Sequence, residues 1–197
     1  MMYPTIEEAK TLLIDAEKSN PGQWVSHSRT TAHCAEKIAQ YSGMNAEKAY
    51  VLGLLHDIGR KFGVSHLRHV SDGYKYMMSL GYDDVARICL THSFNQDKIE
   101  AYVGNFDASE EDTELIRTKL KEAVQDDYDK LIQLCDAIAG ADGVMDIIDR
   151  MSDVKRRYGS YDPEKWQTNL HLKMYFEDKM GMDLYTAVEK DTYSPFD

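Results

Sequence analysis

The sequence predicts an all-α protein, and three observations support this fold class. Apolar residues recur at helical spacing along most of the chain, side chains that favour helix caps precede these segments, and no run alternates apolar and polar residues as a strand does. We expect a single domain over residues 1–197, because a chain of this length buries about 70% of the surface that its unfolded form exposes.

Caps and helix breakers predict the boundaries of the first helices. Thr5 and Glu8 have the spacing of a capping box, and the Asn-Pro-Gly sequence at 20–22 should end the first helix. The second helix is predicted over residues 24–42 and should end before a glycine. Asn45 can cap the third helix.

Later boundaries follow the same signals. Gly81 should end the helix that carries His69, and Asp83 should begin the helix that carries His92. The polar, acidic residues 105–112 are predicted to form a loop. Further helices are predicted over 114–139, with a possible break near Asp126 and Asp127, and over 146–158, 163–180 and 183–190.

The apolar run over residues 49–59 contains the most informative pair of residues, His56 and Asp57. Both side chains are good ligands for a divalent metal. A buried carboxylate without a partner is strongly unfavourable, and a metal cation removes that penalty. The sequence therefore predicts a positive charge beside Asp57.

Other histidines and a further aspartate fit the same site. His27, His69 and His92 each share a helix face with apolar residues, and Asp136 interrupts the apolar run 131–139. An aspartate is rarely buried unless it is paired. These side chains are therefore expected to point inward.

The remaining histidines are interpreted differently. His66 lies one turn before His69 and shares its face, so it is the alternative ligand. His33 aligns with Glu36, Lys37 and Gln40, so it is expected on a solvated face. His171 is also predicted to be solvent-exposed.

The order of these residues resembles the pattern of the HD superfamily of metal-dependent phosphohydrolases, which is His…His-Asp…Asp on a helical core. The segment Leu-Leu-His-Asp-Ile-Gly at 54–59 matches the superfamily's central motif. The resemblance covers about residues 24–143 and implies an HD-type helical bundle. Residues 144–197 would be a helical extension without a family signature.

The resemblance implies a set of metal ligands. The ligands of the first metal would be His27, His56, Asp57 and Asp136. Binuclear members add two histidines after the His-Asp pair and let its aspartate bridge both ions, and His69 and His92 lie where those histidines would be. The cofactor would be one or two divalent transition-metal ions, of which Fe, Mn, Zn and Co all suit imidazole and carboxylate ligands.

The resemblance also implies a reaction. A metal-activated hydroxide would cleave a phosphoester or phosphoanhydride of a small phosphorylated molecule, a nucleotide being the expected substrate, with Asp57 and Arg60 as catalytic residues. The candidates for phosphate binding are Arg60, Lys61, His66 and Arg68. Two alternatives remain open: an HD-type di-iron oxygenase on the same ligands, and a metal-stabilised binding or regulatory module.

Charge and cysteine usage limit the partners and the location. A net charge of −11 argues against nucleic-acid or membrane-surface binding, so local cations must attract a phosphate. The longest apolar run is too short for a membrane span, residues 1–10 lack signal-peptide features, and the three dispersed cysteines are typical of reduced core thiols. These cysteines are Cys34, Cys89 and Cys135. We therefore expect a cytoplasmic protein.

The C-terminal third is rich in aromatic residues, which favours packing against the core. A subunit interface in a homo-oligomer is the alternative, because tyrosine and tryptophan are enriched there.

Overall fold

A computed structural model describes residues 2–96 and 98–196, so Met1, Asp97 and Asp197 lie outside the described residues. The described chain forms ten α-helices and two 3₁₀ turns, and its only strand-like feature is an isolated bridge between Ala139 and Val144. The all-α prediction is confirmed. The helices are α1 (Ile6–Ser19), α2 (Gln23–Tyr41), α3 (Ala46–Leu55), α4 (Arg68–Ser79), α5 (Asp83–Thr91), α6 (Glu110–Glu122), α7 (Asp127–Ile138), α8 (Ile147–Tyr158), α9 (Pro163–Met180) and α10 (Leu184–Ala187), with 3₁₀ turns at Ile58–Phe62 and Ile99–Ala101.

The observed caps confirm most of the predicted helix boundaries. Thr5 and Glu8 form the reciprocal capping box of α1, and the Asn45 side chain accepts a hydrogen bond of 2.9 Å from Lys48 N. The predicted break before α7 is present, with Asp126 as its N-cap. Two predictions were too long. Ser109 caps α6, so the loop predicted over 105–112 ends early, and the helix predicted over 183–190 contains only α10.

Helix α3 lies at the centre of the bundle. It packs against α1, α2, α5 and α7, and its residues from Val51 to Leu55 are all buried. A helix that is surrounded in this way must be apolar on every side, which explains the continuous apolar run in the sequence. The helix therefore delivers the residues that follow it into the protein interior.

The core has two parts. The larger part joins α1, α2, α3 and α7 with the C-terminal helices, and it contains the three buried, free cysteines, as predicted for core thiols. The smaller part lies between α4, α5 and α6 around Leu67, Val70 and Phe94. No helix in the described chain is both long and apolar enough to cross a membrane.

The C-terminal extension packs against the bundle through α7 and α2. Its aromatic residues contribute to this packing: the Trp166 and Tyr161 rings, for example, make an edge contact with centroids 5.6 Å apart.

The prediction that His33 is solvated is wrong, because the extension covers it. Its Nε2 lies 2.9 Å from Val188 O, and its ring stacks on Tyr193 with centroids 3.8 Å apart. The side chain is only 13% exposed. His171 is exposed, as predicted.

Candidate metal centre

The His-Asp pair lies where the central helix ends. Helix α3 stops at Leu55 and a 3₁₀ turn begins at Ile58, so His56 and Asp57 occupy the junction between them. His56 is 1% exposed and Asp57 is 3% exposed. Two potential ligands are thus buried at a point where the chain changes direction.

The four inward histidines share one arrangement, in which Nδ1 faces a backbone carbonyl. A neutral imidazole that donates from Nδ1 presents a lone pair on Nε2, which is the form that binds a metal. The carbonyl partners are Gly53 O for His56 at 2.7 Å, Ala139 O for His27 at 3.1 Å, Cys89 O for His92 at 3.0 Å, and His66 O for His69.

The Nε2 atoms form two groups around one carboxylate. His27, His56 and Asp57 form the first group, and Asp57, His69 and His92 form the second, with the ligand atoms of each group within 4.8 Å of one another. Asp57 Oδ1 is 3.1 Å from His69 Nε2, whereas Oδ2 is 4.0 Å from His56 Nε2. The two oxygens of Asp57 therefore face different groups, as a bridging carboxylate requires.

Asp136 joins the first group from α7. Its Oδ1 is 3.0 Å from His27 Nε2 and 3.9 Å from His56 Nε2. Its side chain is 30% exposed, because it faces the cavity above the cluster. The structure thus brings together all six residues that the sequence suggested as ligands.

The buried polar atoms of this cluster fit a cation. His56 Nε2 and Asp57 Oδ1 are buried without a hydrogen-bond partner in the described chain, although such groups are normally satisfied. In addition, His69 Nε2 and His92 Nε2 are only 3.3 Å apart. One or two divalent ions would satisfy these atoms, since imidazole and carboxylate groups are common ligands of transition metals.

The pKa values of the cluster favour the protonation states in which carboxylate and imidazole groups bind metal. Burial raises the pKa of Asp57, but its charged and hydrogen-bonding neighbours, Arg60 foremost, outweigh burial and hold that pKa well below its usual range. Burial lowers the pKa of His56, and it lowers the pKa of His92 to about 3. At neutral pH the carboxylate is therefore ionised and these imidazoles are neutral, which are the forms that bind metal.

The cluster forms the floor of an open cavity of about 500 Å³. Residues of the bundle and of the C-terminal extension line it together. Four of the lining side chains are aromatic: Trp24, Tyr102, Tyr158 and Tyr161. Four are cationic: Arg60, Arg150, Arg157 and Lys165.

Arg60 lies in the cavity wall, but its first partner is Asp57. Its Nε donates to Asp57 Oδ2 at 2.5 Å, and a terminal nitrogen donates to Ser65 O at 3.2 Å. Arg60 belongs to the 3₁₀ turn Ile58–Phe62. Arg60 thus orients a predicted ligand, and its contact with a phosphate stays a prediction.

The other candidates for phosphate binding do not line the cavity. Lys61 Nζ lies 4.0 Å from the centroid of the Tyr76 ring, and Arg68 pairs with Asp72 at 3.4 Å. The His66 ring is next to the Asn105 amide, 3.4 Å away. The structure therefore puts Lys61, His66 and Arg68 outside the cavity, contrary to their prediction as phosphate-binding residues. It is His69, not His66, that faces the cluster.

The sequence interpretation missed the cations of the extension. Lys165 Nζ donates to Ser93 O at 2.7 Å, directly after His92 in the chain. Arg150 Nε donates to Ala139 O at 2.9 Å, the same carbonyl that contacts His27. The only signal available was the basic run at 155–157, which is usual on an exposed helix face.

A backbone contact sets the spacing between the two groups. Gly59, two residues after Asp57, packs against Gly73 in α4, the helix that carries His69. A Cβ on Gly59 would lie 2.5 Å from Gly73 N and closer still to His69 O. Only glycine allows the 3₁₀ turn to approach α4 this closely.

The all-α bundle thus has a buried His/Asp cluster at the floor of a cavity, and this cluster could hold a metal ion. Residues 24–141 match the HD domain family, and the chain belongs to that family, whose members are generally metal-dependent hydrolases. Neither the curated proteins nor the solved structures contain a match to the chain.

Proposed function

We propose that this protein is a metal-dependent phosphohydrolase that cleaves a phosphoester or phosphoanhydride in a nucleotide. One observation carries the proposal: two histidine groups share the Asp57 carboxylate at the floor of a cavity whose walls carry four cationic side chains. A phosphoryl group needs this combination, because negative charge must be stabilised on several oxygens at once.

The charge balance of the cavity supports an anionic substrate. Its four cationic side chains are matched by four carboxylates, Asp57, Asp136, Asp142 and Asp153. Two divalent ions would add about four positive charges to this neutral lining. The loaded cavity would then attract an anion even though the whole chain carries a net charge of −11.

The size and lining of the cavity support a nucleotide. A volume of about 500 Å³ lies within the usual range for small-molecule sites. The rings of Trp24, Tyr102 and Tyr161 offer surfaces on which a base can stack, and the amides of Asn95 and Gln133 offer hydrogen-bonding groups.

The chain's own residues have distinct parts in this proposal. A bound divalent cation would supply Lewis acidity and a lowered pKa for a water ligand. Arg60 holds Asp57 ionised and oriented through the 2.5 Å contact. Lys165 holds the backbone after His92 through Ser93 O. These contacts keep the ligands in place before the substrate arrives, which lowers the cost of reorganisation.

The reaction can be tested with purified protein. Protein loaded separately with Mn, Fe and Co would be assayed against a panel of phosphoesters and nucleotides, with oxygen consumption recorded in the same samples. We expect release of phosphate or a nucleotide product without oxygen uptake. Substrate-dependent oxygen uptake without hydrolysis would favour the oxygenase. Bound metal with neither reaction would favour a binding module.

Variants of Arg60 and of its neighbour Lys61 form a matched pair that tests the proposed role of Arg60. Arg60→Ala should lower kcat/KM about tenfold to a hundredfold, which is about 1.4–2.7 kcal/mol of transition-state stabilisation. Lys61→Ala should leave kcat/KM near the wild-type value, because Lys61 lies on Tyr76 and not in the cavity. Equal losses in the two variants would contradict this role for Arg60.

A further inference from the structure

We propose that Arg150 and Arg157 of α8 form a second anion subsite, which binds a phosphoryl group other than the one that reacts at the metal centre. The substrate would then carry a linear chain of at least two phosphoryl groups, as nucleoside diphosphates and triphosphates do. This inference rests on the proposed function and deepens it by naming the substrate class. The subsite belongs to the C-terminal extension, outside the region that matches the HD domain family.

Helix α8 presents one face to the cavity. Arg150, Val154 and Arg157 line it at spacings of four and three residues, which place side chains on one side of a helix, and Met151 lines it beside them. The two arginines therefore lie about two helical turns apart on the cavity wall.

Arg150 is anchored next to the metal centre. Its Nε donates to Ala139 O at 2.9 Å, and the same carbonyl lies 3.1 Å from His27 Nδ1. The Arg150 side chain is only 19% exposed. One edge of this guanidinium is thus fixed by the backbone that also orients a predicted metal ligand, while its terminal nitrogens make no hydrogen bond to the described chain.

Asp153 draws the two arginines together. Its Oδ2 is 3.0 Å from Arg157 Nε and 3.9 Å from a terminal nitrogen of Arg150. Both guanidinium groups therefore converge on one point while their outer nitrogens remain open to a ligand. A guanidinium presents donors in a rigid fork that matches phosphate oxygens, so this pair is arranged before any anion binds.

The positive charge of the arginines around Asp153 exceeds the single negative charge of its carboxylate. Arg156 already contacts the other oxygen of Asp153, and its side chain is 80% exposed. Three guanidinium groups thus surround one carboxylate, although the chain as a whole is strongly acidic. Neutralising Asp153 would take one arginine. The excess at Arg150 and Arg157 faces the cavity and favours an anion there.

A phosphate chain fits the geometry better than a single phosphate. The metal centre and the arginine pair line the same cavity of about 500 Å³, and Arg150 donates to Ala139 O, the carbonyl that also faces His27. One phosphoryl group cannot occupy two places on the wall, whereas linked phosphoryl groups can contact both. Affinity should therefore rise with the number of linked phosphates.

The test measures binding and not turnover. Calorimetric titration of the Mn-loaded full-length protein with inorganic phosphate, pyrophosphate and triphosphate would compare wild type with Arg157→Gln and Arg156→Gln. Arg156 is the matched control, because it contacts the same aspartate but does not line the cavity. Arg157 is 45% exposed, so its replacement should not prevent folding.

We expect Arg157→Gln to weaken triphosphate binding about tenfold or more and to leave phosphate binding within about twofold. Arg156→Gln should change neither. Equal weakening in both variants, or equal affinity of wild type for the three anions, would overturn the subsite. Because no hydrolysis is needed, a protein with the expected binding pattern but no phosphohydrolase activity would retain the subsite and lose the proposed function.

Discussion

The HD domain, residues 24–141, contributes the histidines of the cavity, whereas α8 and α9 of the C-terminal extension contribute three of its four described cationic side chains. The histidines are buried and are oriented by backbone carbonyls. The cations reach into the cavity from helices that are otherwise polar and half exposed. In our proposal, the metal chemistry and the choice of anion belong to different parts of the chain, so that each should respond separately to mutation.

The proposed role of the HD domain requires both histidine groups to bind metal through the Asp57 carboxylate that they share. Asp57→Ala should remove metal from both groups and lower kcat/KM by about 10³-fold or more, about 4 kcal/mol. Elemental analysis and activity would be measured on the same sample, with circular dichroism to verify folding. Full metal occupancy in the variant would disprove the shared site.

The backbone contact beneath the HD ligands should have the next largest effect. Gly59→Ala introduces a methyl group into a space that is already filled, so we expect the free energy of unfolding to fall by about 3 kcal/mol. Gly73→Ala is the matched comparison. Its Cβ would lie 3.1 Å from Cys89 Sγ, a milder overlap, and should cost about 1 kcal/mol. Denaturant unfolding would rank the two, and a stable Gly59→Ala protein would contradict the tight contact.

The attachment of the extension can be weakened without touching the metal ligands. His33→Ala should lower the free energy of unfolding by about 1–2 kcal/mol, because it removes the stack on Tyr193 and the contact with Val188 O. Metal content should stay at the wild-type level. His171→Ala, at an exposed position, should change stability by less than about 0.5 kcal/mol. Equal effects of the two variants would contradict the covering role of the extension.

A smaller effect is expected at Lys165 of the extension, whose contribution to the free energy of unfolding should depend on pH. Burial lowers the pKa of Lys165 from 10.5 to about 8, although Asp136 and Asp162 oppose this shift. Above pH 8 the unfolded chain therefore binds more protons at this site than the folded chain. The site's contribution to the free energy of unfolding should rise with pH, by at most about 1.4 kcal/mol per unit.

This rise is measured as a difference between proteins. Urea unfolding of wild type and Lys165→Met, compared over roughly pH 8 to 9.5, removes the contributions of other groups common to both proteins. A difference that does not change over this interval would show that Lys165 keeps an ordinary pKa.

The burial of the candidate metal ligands could be predicted because it is indicated by their neighbours in sequence. His27 and His92 share helix faces with apolar residues, and His56 ends an apolar helix. Caps and glycines likewise predicted most helix boundaries, since these signals are local. The roles of the ligands in binding metal stay predictions.

Long-range contacts could not be predicted in the same way. His33 has polar neighbours, but it is covered by Val188, which is 155 residues away in the chain. Lys61 follows Arg60 directly, yet the 3₁₀ turn directs the two side chains to different surroundings. Arg150 and Arg157 lie on an amphipathic helix whose charges are ordinary in sequence. Their shared cavity is visible only once α8 is folded against α7.

The positions of the two tryptophans give each region its own fluorophore. Trp24 lies in the cavity wall of the HD domain, while Trp166 packs against Tyr161 in the extension. The chain contains no other tryptophan. Replacing either one with phenylalanine would leave a spectroscopic signal from a single region. The order in which the bundle and its extension lose structure could then be followed by emission in an otherwise unlabelled protein.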